Sequence, residues 1–179
     1  MNAMHWQLHP GTRADLAPLH ALANIPQVYR FLADDIPPSR DLIKAWIEVG
    51  VSDAAGGALG LWLLRQDARD IGGCVRLTTF TDEPRAAELT YLLHPRCWGQ
   101  GLATRMSWTV VQRALATGQI DAVVAGADVP NVASRAVMTR LGMTFLRDVV
   151  YAAWPGVESV FRRGDALPAP VPELLPIAP

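Results

Sequence analysis

The sequence predicts one mixed α/β (α+β) domain built on a mostly antiparallel central sheet with flanking helices, and three observations carry that expectation. Residues 58–65, 71–80 and 86–93 are consecutive apolar, β-favouring runs joined by short polar links, the pattern of an antiparallel meander. A long amphipathic stretch from Gly101 to Thr117 is followed by the apolar run 122–127, AVVAGA. Strand, helix and buried strand imply a right-handed crossover and one parallel pair. The last two runs, about 144–152 and 157–162, flank Trp154-Pro155-Gly156 and fit a closing hairpin.

The remaining elements follow in order. His5 to His9 alternates Trp6 and Leu8 against polar neighbours and reads as a short first strand. Thr12 followed by Asp15 marks a helix start, because the hydroxyl can accept an orphan amide and the carboxylate suits the positive end. Leu16, Leu19, Leu22 and Ala23 share the apolar face of that helix, and a second short helix is expected over Gln27 to Ala33. Ser39 is the N-cap of a third, in which Leu42, Ile43, Trp46, Ile47 and Val49 form the stripe and Gly50 is the stop. Trp46 reads as core, with a substrate contact as the alternative. After Ala54-Ala55-Gly56-Gly57 the period changes to that of strands, and Gly72-Gly73 within the second run predicts a bulge or a close backbone approach. Gly118 caps the long helix. Pro130-Asn131 opens a shorter one that turns Ala133, Val137, Met138 and Leu141 inward and ends at Gly142. Residues 1–165 are expected to form the domain, and 166–179, with five prolines in thirteen residues from Leu167, an extended or disordered tail that docks at most on the surface.

Bulk properties narrow the function classes. The chain has 179 residues, half of them apolar, with a formal charge of −1. That suits one well-packed domain and does not indicate nucleic-acid or membrane-surface binding through charge. Cys74 and Cys97 have no CxxC spacing and no histidine cluster beside them, so neither a disulfide framework nor a metal site is expected. No leader pattern or membrane-length apolar run is present, and a cytoplasmic protein is expected.

The stretch Glu88 to Thr104, ELTYLLHPRCWGQGLAT, is the chemical centre of the chain. Its strand must stop pairing at Pro95, Gly99 and Gly101 permit a tight turn, and the helix behind them begins with unpaired amides at its positive end. Such a turn is either a plain structural device or an anion site suited to phosphate. The dinucleotide fingerprint is excluded because Thr104 stands where its third glycine belongs, and the Gly-Lys-Ser/Thr loop is absent.

Two separated segments resemble one family. Trp98-Gly99-Gln100-Gly101-Leu102-Ala103 resembles the Q/R-x-x-G-x-G/A acetyl-CoA motif of the GNAT N-acetyltransferases, and Asn131-x-x-Ser134, followed by Leu141-Gly142-Met143, is similar to a helix of the same superfamily. The fuller pattern from Glu88 to Thr104 looks like the ribosomal-protein N-terminal acetyltransferase branch, the RimJ/RimL type. Trp98, Thr90, Arg105 and Met106 depart from the usual residues, and none of these departures removes a backbone amide.

The resemblance implies a parallel strand pair that splays to admit acetyl-CoA, with CoA as product. Leu92 and Leu93 would offer strand backbone to the pantetheine arm, and Trp98, Gly99, Gln100, Gly101, Leu102, Ala103 and Thr104 would form the pyrophosphate turn. Asn131 would touch the cofactor arm, and Arg135 or Arg140 the nucleotide phosphate. Glu88 is the candidate base and Ser134 the candidate donor to the departing sulfur. The implied chemistry is attack of a neutral amine on a thioester through an oxyanion, for which a strand amide near Leu92 would serve. At pH 7 an α-amine lies about one unit from neutrality, roughly 1.4 kcal/mol, and a lysine over three units, roughly 4.6 kcal/mol, so a base matters more for lysine. Tyr91 has the opposite strand parity to Glu88 and reads as packed, His94 as a solvent-facing loop residue, and Cys97 as an unneeded nucleophile.

The expected partner is an amine acceptor, a protein N-terminus or a small molecule, and the branch suggests a homodimer. An aminoglycoside acceptor would call for an acidic cleft, for which Asp34, Asp35 and Glu48 are available. The competing class is a non-catalytic acyl-CoA-binding or interaction domain of the same fold, against which stands the presence of both Glu88 and Ser134.

Overall fold

The structure is a computed structural model, and it describes residues 6–32, 35–53, 57–67, 70–151 and 154–178. His5, the expected end of the second helix at Ala33, Asp34, the Ala54-Ala55-Gly56 link and Pro179 lie outside the described residues. The elements are β1 (Gln7–Pro10), a 3-10 turn (Arg13–Asp15), α1 (Leu16–Ala23), α2 (Pro26–Tyr29), α3 (Arg40–Asp53), β2 (Gly60–Arg65), β3 (Gly73–Thr79), β4 (Ala86–Leu93), α4 (Leu102–Ala116), β5 (Ala122–Asp128), α5 (Val132–Arg140), β6 (Thr144–Val150) and β7 (Pro155–Arg162). They form a seven-stranded sheet in the order β1-β2-β3-β4-β5-β7-β6. Every neighbouring pair is antiparallel except β4 and β5, the pair joined by the α4 crossover.

Strand alternation divides the core into two faces. Leu89 and Leu93 of β4, with Tyr91 packed beside them, point toward α4 and α5, joining Leu102, Met106, Val110, Val137, Met138 and Leu141. Leu92 points the other way, into a smaller cluster with Leu19, Leu22, Ile43 and Ile47 of α1 and α3. The site is built between these two layers.

Several boundaries differ from the sequence reading for identifiable reasons. Gly50 does not end α3, which runs on to Asp53; it is buried where the helix meets β2, and a Cβ there would lie 2.5 Å from Leu61 Cβ. Close packing, and not helix capping, is what requires a glycine here. Leu42 and Val49 are exposed, while Ile43 and Ile47 carry the packing and Trp46 lies under the Arg76 guanidinium at 4.7 Å from its ring centroid. Thr12 and Asp15 form the reciprocal capping box that the sequence predicts, with Asp15 Oδ2 accepting from the Thr12 amide and hydroxyl at 2.8 Å each. Asp15 is held in turn by Arg65 in a largely buried ion pair. The helix expected from Gln27 is the single turn α2. The hairpin bend is closed by paired backbone bonds between Tyr151 and Trp154, so Pro155 and Gly156 already belong to β7.

Gly72 and Gly73 are a close approach and not a bulge, since the β2–β3 and β3–β4 registers run without a shift. A Cβ on Gly73 would lie 2.8 Å from the Leu92 carbonyl oxygen. The proline-rich segment is extended and docked. The Leu175 amide donates to Thr109 Oγ1 (2.8 Å), Leu8 and Pro176 or Ala178 exchange backbone bonds, and the Leu175 side chain is buried in the main core.

Candidate active site

The decisive feature is where the parallel ladder stops. β4 pairs with β5 at Ala86–Ala122, Ala87–Val123 and Glu88–Val124, after which the two strands run on to Leu93 and Asp128 with no further rung between them. Each strand stays anchored by its outer neighbour: β3 pairs with β4 through Gly73–Leu93, and β7 with β5 through Gly156–Asp128. The gap therefore opens like a wedge from Glu88, exposing backbone donors and acceptors along its inner edges. It belongs to a cleft of about 1570 Å³ lined by residues 88–93, by the turn before α4, by the start of α5 and by α2.

At the wide end lies the glycine turn. Gly99 and Gly101 have φ of +72° and +70°, and an added Cβ at either would meet nothing within 4 Å, so their role is conformational and their surroundings are open. The first α4 bond is Arg105 N–H to Gly101 C=O at 3.0 Å, which leaves the amides of Leu102, Ala103 and Thr104 ahead of the ladder at the positive end of a 15-residue helix. A strand-edged gap that ends in a helix-backed cradle of open amides fits an extended pantetheine arm carrying a pyrophosphate. The residues present therefore fit acetyl-CoA.

The candidate residues fall into two groups. Glu88, Leu92, Leu93, Trp98, Gly99, Gly101, Leu102, Ala103, Thr104, Asn131 and Ser134 all line the cleft. The side chains of Leu102 and Thr104 are buried below it, and the Trp98 indole donates to the Leu93 carbonyl (3.0 Å), pinning the turn to the strand end. Gln100 and Arg135 stand apart: Gln100 Nε2 donates back to the Arg96 carbonyl (2.8 Å) and Arg135 to that of Val129 (3.2 Å). Arg140 borders the cleft in place of Arg135. Asn131 Oδ1 accepts the Ser134 amide (3.1 Å) and so caps α5.

Glu88 and Ser134 approach the gap from opposite faces of the sheet. Glu88 shares its parity with Leu92, on the α1 and α3 side, and is exposed. Ser134, on the first turn of α5, belongs to the other side, where the Tyr91 hydroxyl lies 2.8 Å from its Oγ. His94 is turned into its own loop, Nδ1 accepting from Arg96 N–H (3.2 Å), and Cys97 is buried, with burial pushing its thiol up.

Three further residues belong to the site, two of which, Arg76 and Tyr151, the sequence reading does not name. Tyr91 packs its ring as its strand parity predicts, and its hydroxyl reaches Ser134 as well. Arg76, opposite Thr90 on β3, lies beside Glu88; burial pulls its guanidinium downward, opposed by Cys74, Glu88 and Asp53. An arginine inside the apolar run ending LTTF was the visible signal. Tyr151, near the β6–β7 bend, lies over Gly126 and Gly156; burial and the negative charges of Glu158, Glu88 and Asp128 push its phenol up to about 12. No local pattern announced it.

Among the described residues, no helix is long and apolar enough to cross a membrane and no group of three or more His, Cys, Asp or Glu could hold a metal ion.

Comparison with known proteins agrees with this geometry. No curated protein matches the chain by sequence. Among solved structures, RimL, a ribosomal L7/L12 α-N-protein acetyltransferase in complex with coenzyme A, superposes with a TM-score of 0.72 at 18% identity over 90% of this chain and 96% of its own. A spermidine N-acetyltransferase from Vibrio cholerae in complex with CoA and spermine gives 0.72 at 15% identity over 90% and 97%. An aminoglycoside acetyltransferase in complex with coenzyme A and kanamycin gives 0.70 at 16% identity over 88% and 95%. These likenesses establish the fold. Residues 6–144 match the acetyltransferase (GNAT) domain, and the chain belongs to that acetyltransferase family.

Proposed function

We propose that the chain transfers an acetyl group from acetyl-CoA directly to a primary amine, within the RimJ/RimL-type branch, with a protein N-terminal α-amine or a small-molecule amine as acceptor. The observation that carries this reading is the end of the β4–β5 ladder at Glu88–Val124, which brings Glu88 and Ser134 to one opening from opposite faces. Bound acetyl-CoA supplies the acetyl group as a thioester and leaves as CoA. The open amides of Leu102, Ala103 and Thr104 hold the pyrophosphate, and the free edge of β4 near Leu92 holds the arm. From the α1 and α3 face, Glu88 takes the proton that the amine loses as its C–N bond forms, directly or through water. From the other face, Ser134 donates a hydrogen bond to the sulfur as its bond to carbon breaks, and the thiolate is protonated from solvent.

Glu88, Asp128 and Glu158 all act on the Tyr151 hydroxyl, while Arg147 pairs with Glu158 (2.7 Å) and Arg76 acts on Glu88, so the surroundings of this phenol carry both signs of charge. Of the carboxylates the sequence offers for an aminoglycoside acceptor, Asp34 lies outside the described residues, and Asp35 and Glu48 do not line the cleft, Glu48 pairing with Lys44 at 3.9 Å.

The test is thiol release from acetyl-CoA with a peptide bearing a free α-amine, spermidine and kanamycin as acceptors, together with calorimetric titration of acetyl-CoA. Glu88→Gln is expected to lower kcat by about 100-fold with acetyl-CoA affinity unchanged. Absence of acetyl-CoA binding would overturn the reading; binding without transfer to any acceptor would favour the non-catalytic class.

A further inference from the structure

On the α4 and α5 side of the gap, two hydroxyls come together from elements far apart in the chain. The Tyr91 phenol oxygen lies 2.8 Å from Ser134 Oγ and 3.1 Å from the Ser134 carbonyl oxygen. Tyr91 projects from the middle of β4, opposite Val75 of β3, and its ring packs against the main core, so the phenol has little freedom. The Ser134 backbone is fixed by the Asn131 cap, and both residues line the cleft. Burial pushes the phenol up to about 12, with the Ser134 hydrogen bond opposing it, so it keeps its proton at physiological pH.

Two proton arrangements satisfy these distances. In one, the phenol donates to the Ser134 carbonyl and the serine hydroxyl donates back to the phenol, which spends the serine proton inside the pair. In the other, the phenol donates to Ser134 Oγ, and the serine proton is released toward the cleft. Negative charge growing in the cleft favours the second, because consecutive hydrogen bonds ending on an anion polarise and strengthen one another. Without a donor onto Oγ, a serine in this helical position can turn its proton back to the carbonyl of Pro130 or Asn131, the i−4 and i−3 acceptors.

We propose that Tyr91 is a positioning residue for Ser134: its phenol donates to Ser134 Oγ and so directs the serine proton at the sulfur of departing CoA. The inference rests on the reading of Ser134 as the thiolate-facing donor, and it assigns to Tyr91 no contact with the reacting atoms.

The experiment compares wild type, Tyr91→Phe, Ser134→Ala and the double variant. Calorimetry measures affinity for CoA and for desulfo-CoA at alkaline pH, where the CoA thiol ionises, and thiol release from acetyl-CoA is followed with spermidine, kanamycin and a free α-amine peptide. Tyr91→Phe is expected to weaken CoA by roughly 5-fold relative to desulfo-CoA and to leave desulfo-CoA affinity unchanged, which also reports an intact fold. It should lower kcat by about 10-fold at unchanged KM for acetyl-CoA, and the double variant should be no worse than Ser134→Ala alone. Equal losses from Tyr91→Phe with and without Ser134, or an unchanged CoA to desulfo-CoA ratio, would overturn the proposal while leaving Ser134 its own effect. If Ser134→Ala itself changes neither the ratio nor kcat, the reading of Ser134 fails and this inference falls with it.

Discussion

The hydroxyl of Tyr151 occupies the space that a side chain on Gly126 would fill. A Cβ on Gly156 would likewise lie 2.5 Å from the Tyr151 ring, so two glycines on neighbouring strands form the seat of one phenol. The seat is on the face of Glu88 and Glu158, away from the glycine turn proposed to hold the cofactor.

Gly126→Ala is therefore expected to displace Tyr151 and act on the acceptor alone. The acceptor KM should rise by about 10-fold, corresponding to roughly 1.4 kcal/mol of lost positioning, with acetyl-CoA affinity within about 2-fold of wild type. Initial-rate kinetics with the best acceptor, beside calorimetry with acetyl-CoA, separates the two. An equal loss of acetyl-CoA binding would show that Tyr151 borders the cofactor instead.

Gly101→Val should do the reverse. At φ +70° a β-branched residue is strained by about 1–2 kcal/mol, and relief of that strain would turn the amides of residues 102–104 away from the pyrophosphate. Acetyl-CoA affinity is expected to fall by at least about 10-fold, whereas Gly118→Ala, also at positive φ but beyond the far end of α4, should cost stability and leave affinity unchanged. Unchanged affinity in Gly101→Val would remove the anion-turn interpretation.

Ending the chain at Pro170 should destabilise the domain. Leu175 is 4% exposed and worth about 2 kcal/mol of burial, and the bonds from Leu175 to Thr109 and between Leu8 and the 176–178 backbone go with it. Urea unfolding should show a lower midpoint by an amount equivalent to about 2–4 kcal/mol. An unchanged midpoint would mean that the docked segment adds nothing to the core.

Stability should fall gently on acidification, and salt should mask part of the fall. Hydrogen bonds from Arg147, Arg162 and Arg85 hold Asp82, Glu83 and Asp121 below their ordinary values of 3.8 and 4.5. Between each lowered value and the ordinary one the unfolded chain binds more protons, so stability is complete above the ordinary value and is lost as pH drops through the lowered one. These groups are exposed, so ionic screening weakens their contribution. Melting temperatures from pH 6 to pH 2.5 at low and high salt test this; a fall beginning well above pH 5 would point to other groups.

The sequence by itself determined the elements whose signals are local. Apolar, β-favouring runs marked the strands, Ser39, Gly118 and Gly142 marked helix ends, and Gly99 and Gly101 marked a turn with open amides behind it, because backbone amides at a helix start depend on few neighbours. The tertiary structure alone decided what depends on two strands meeting. Gly50 and Gly126 look like any other glycines until Leu61 and Tyr151 are packed onto them. Tyr91 has the parity of a core residue, and only the crossover of α4 and the placement of α5 bring Ser134 to its hydroxyl, 43 residues away in the chain. The ladder's end at Glu88 is set by two strands held apart by their outer partners, a long-range balance that no window of residues contains.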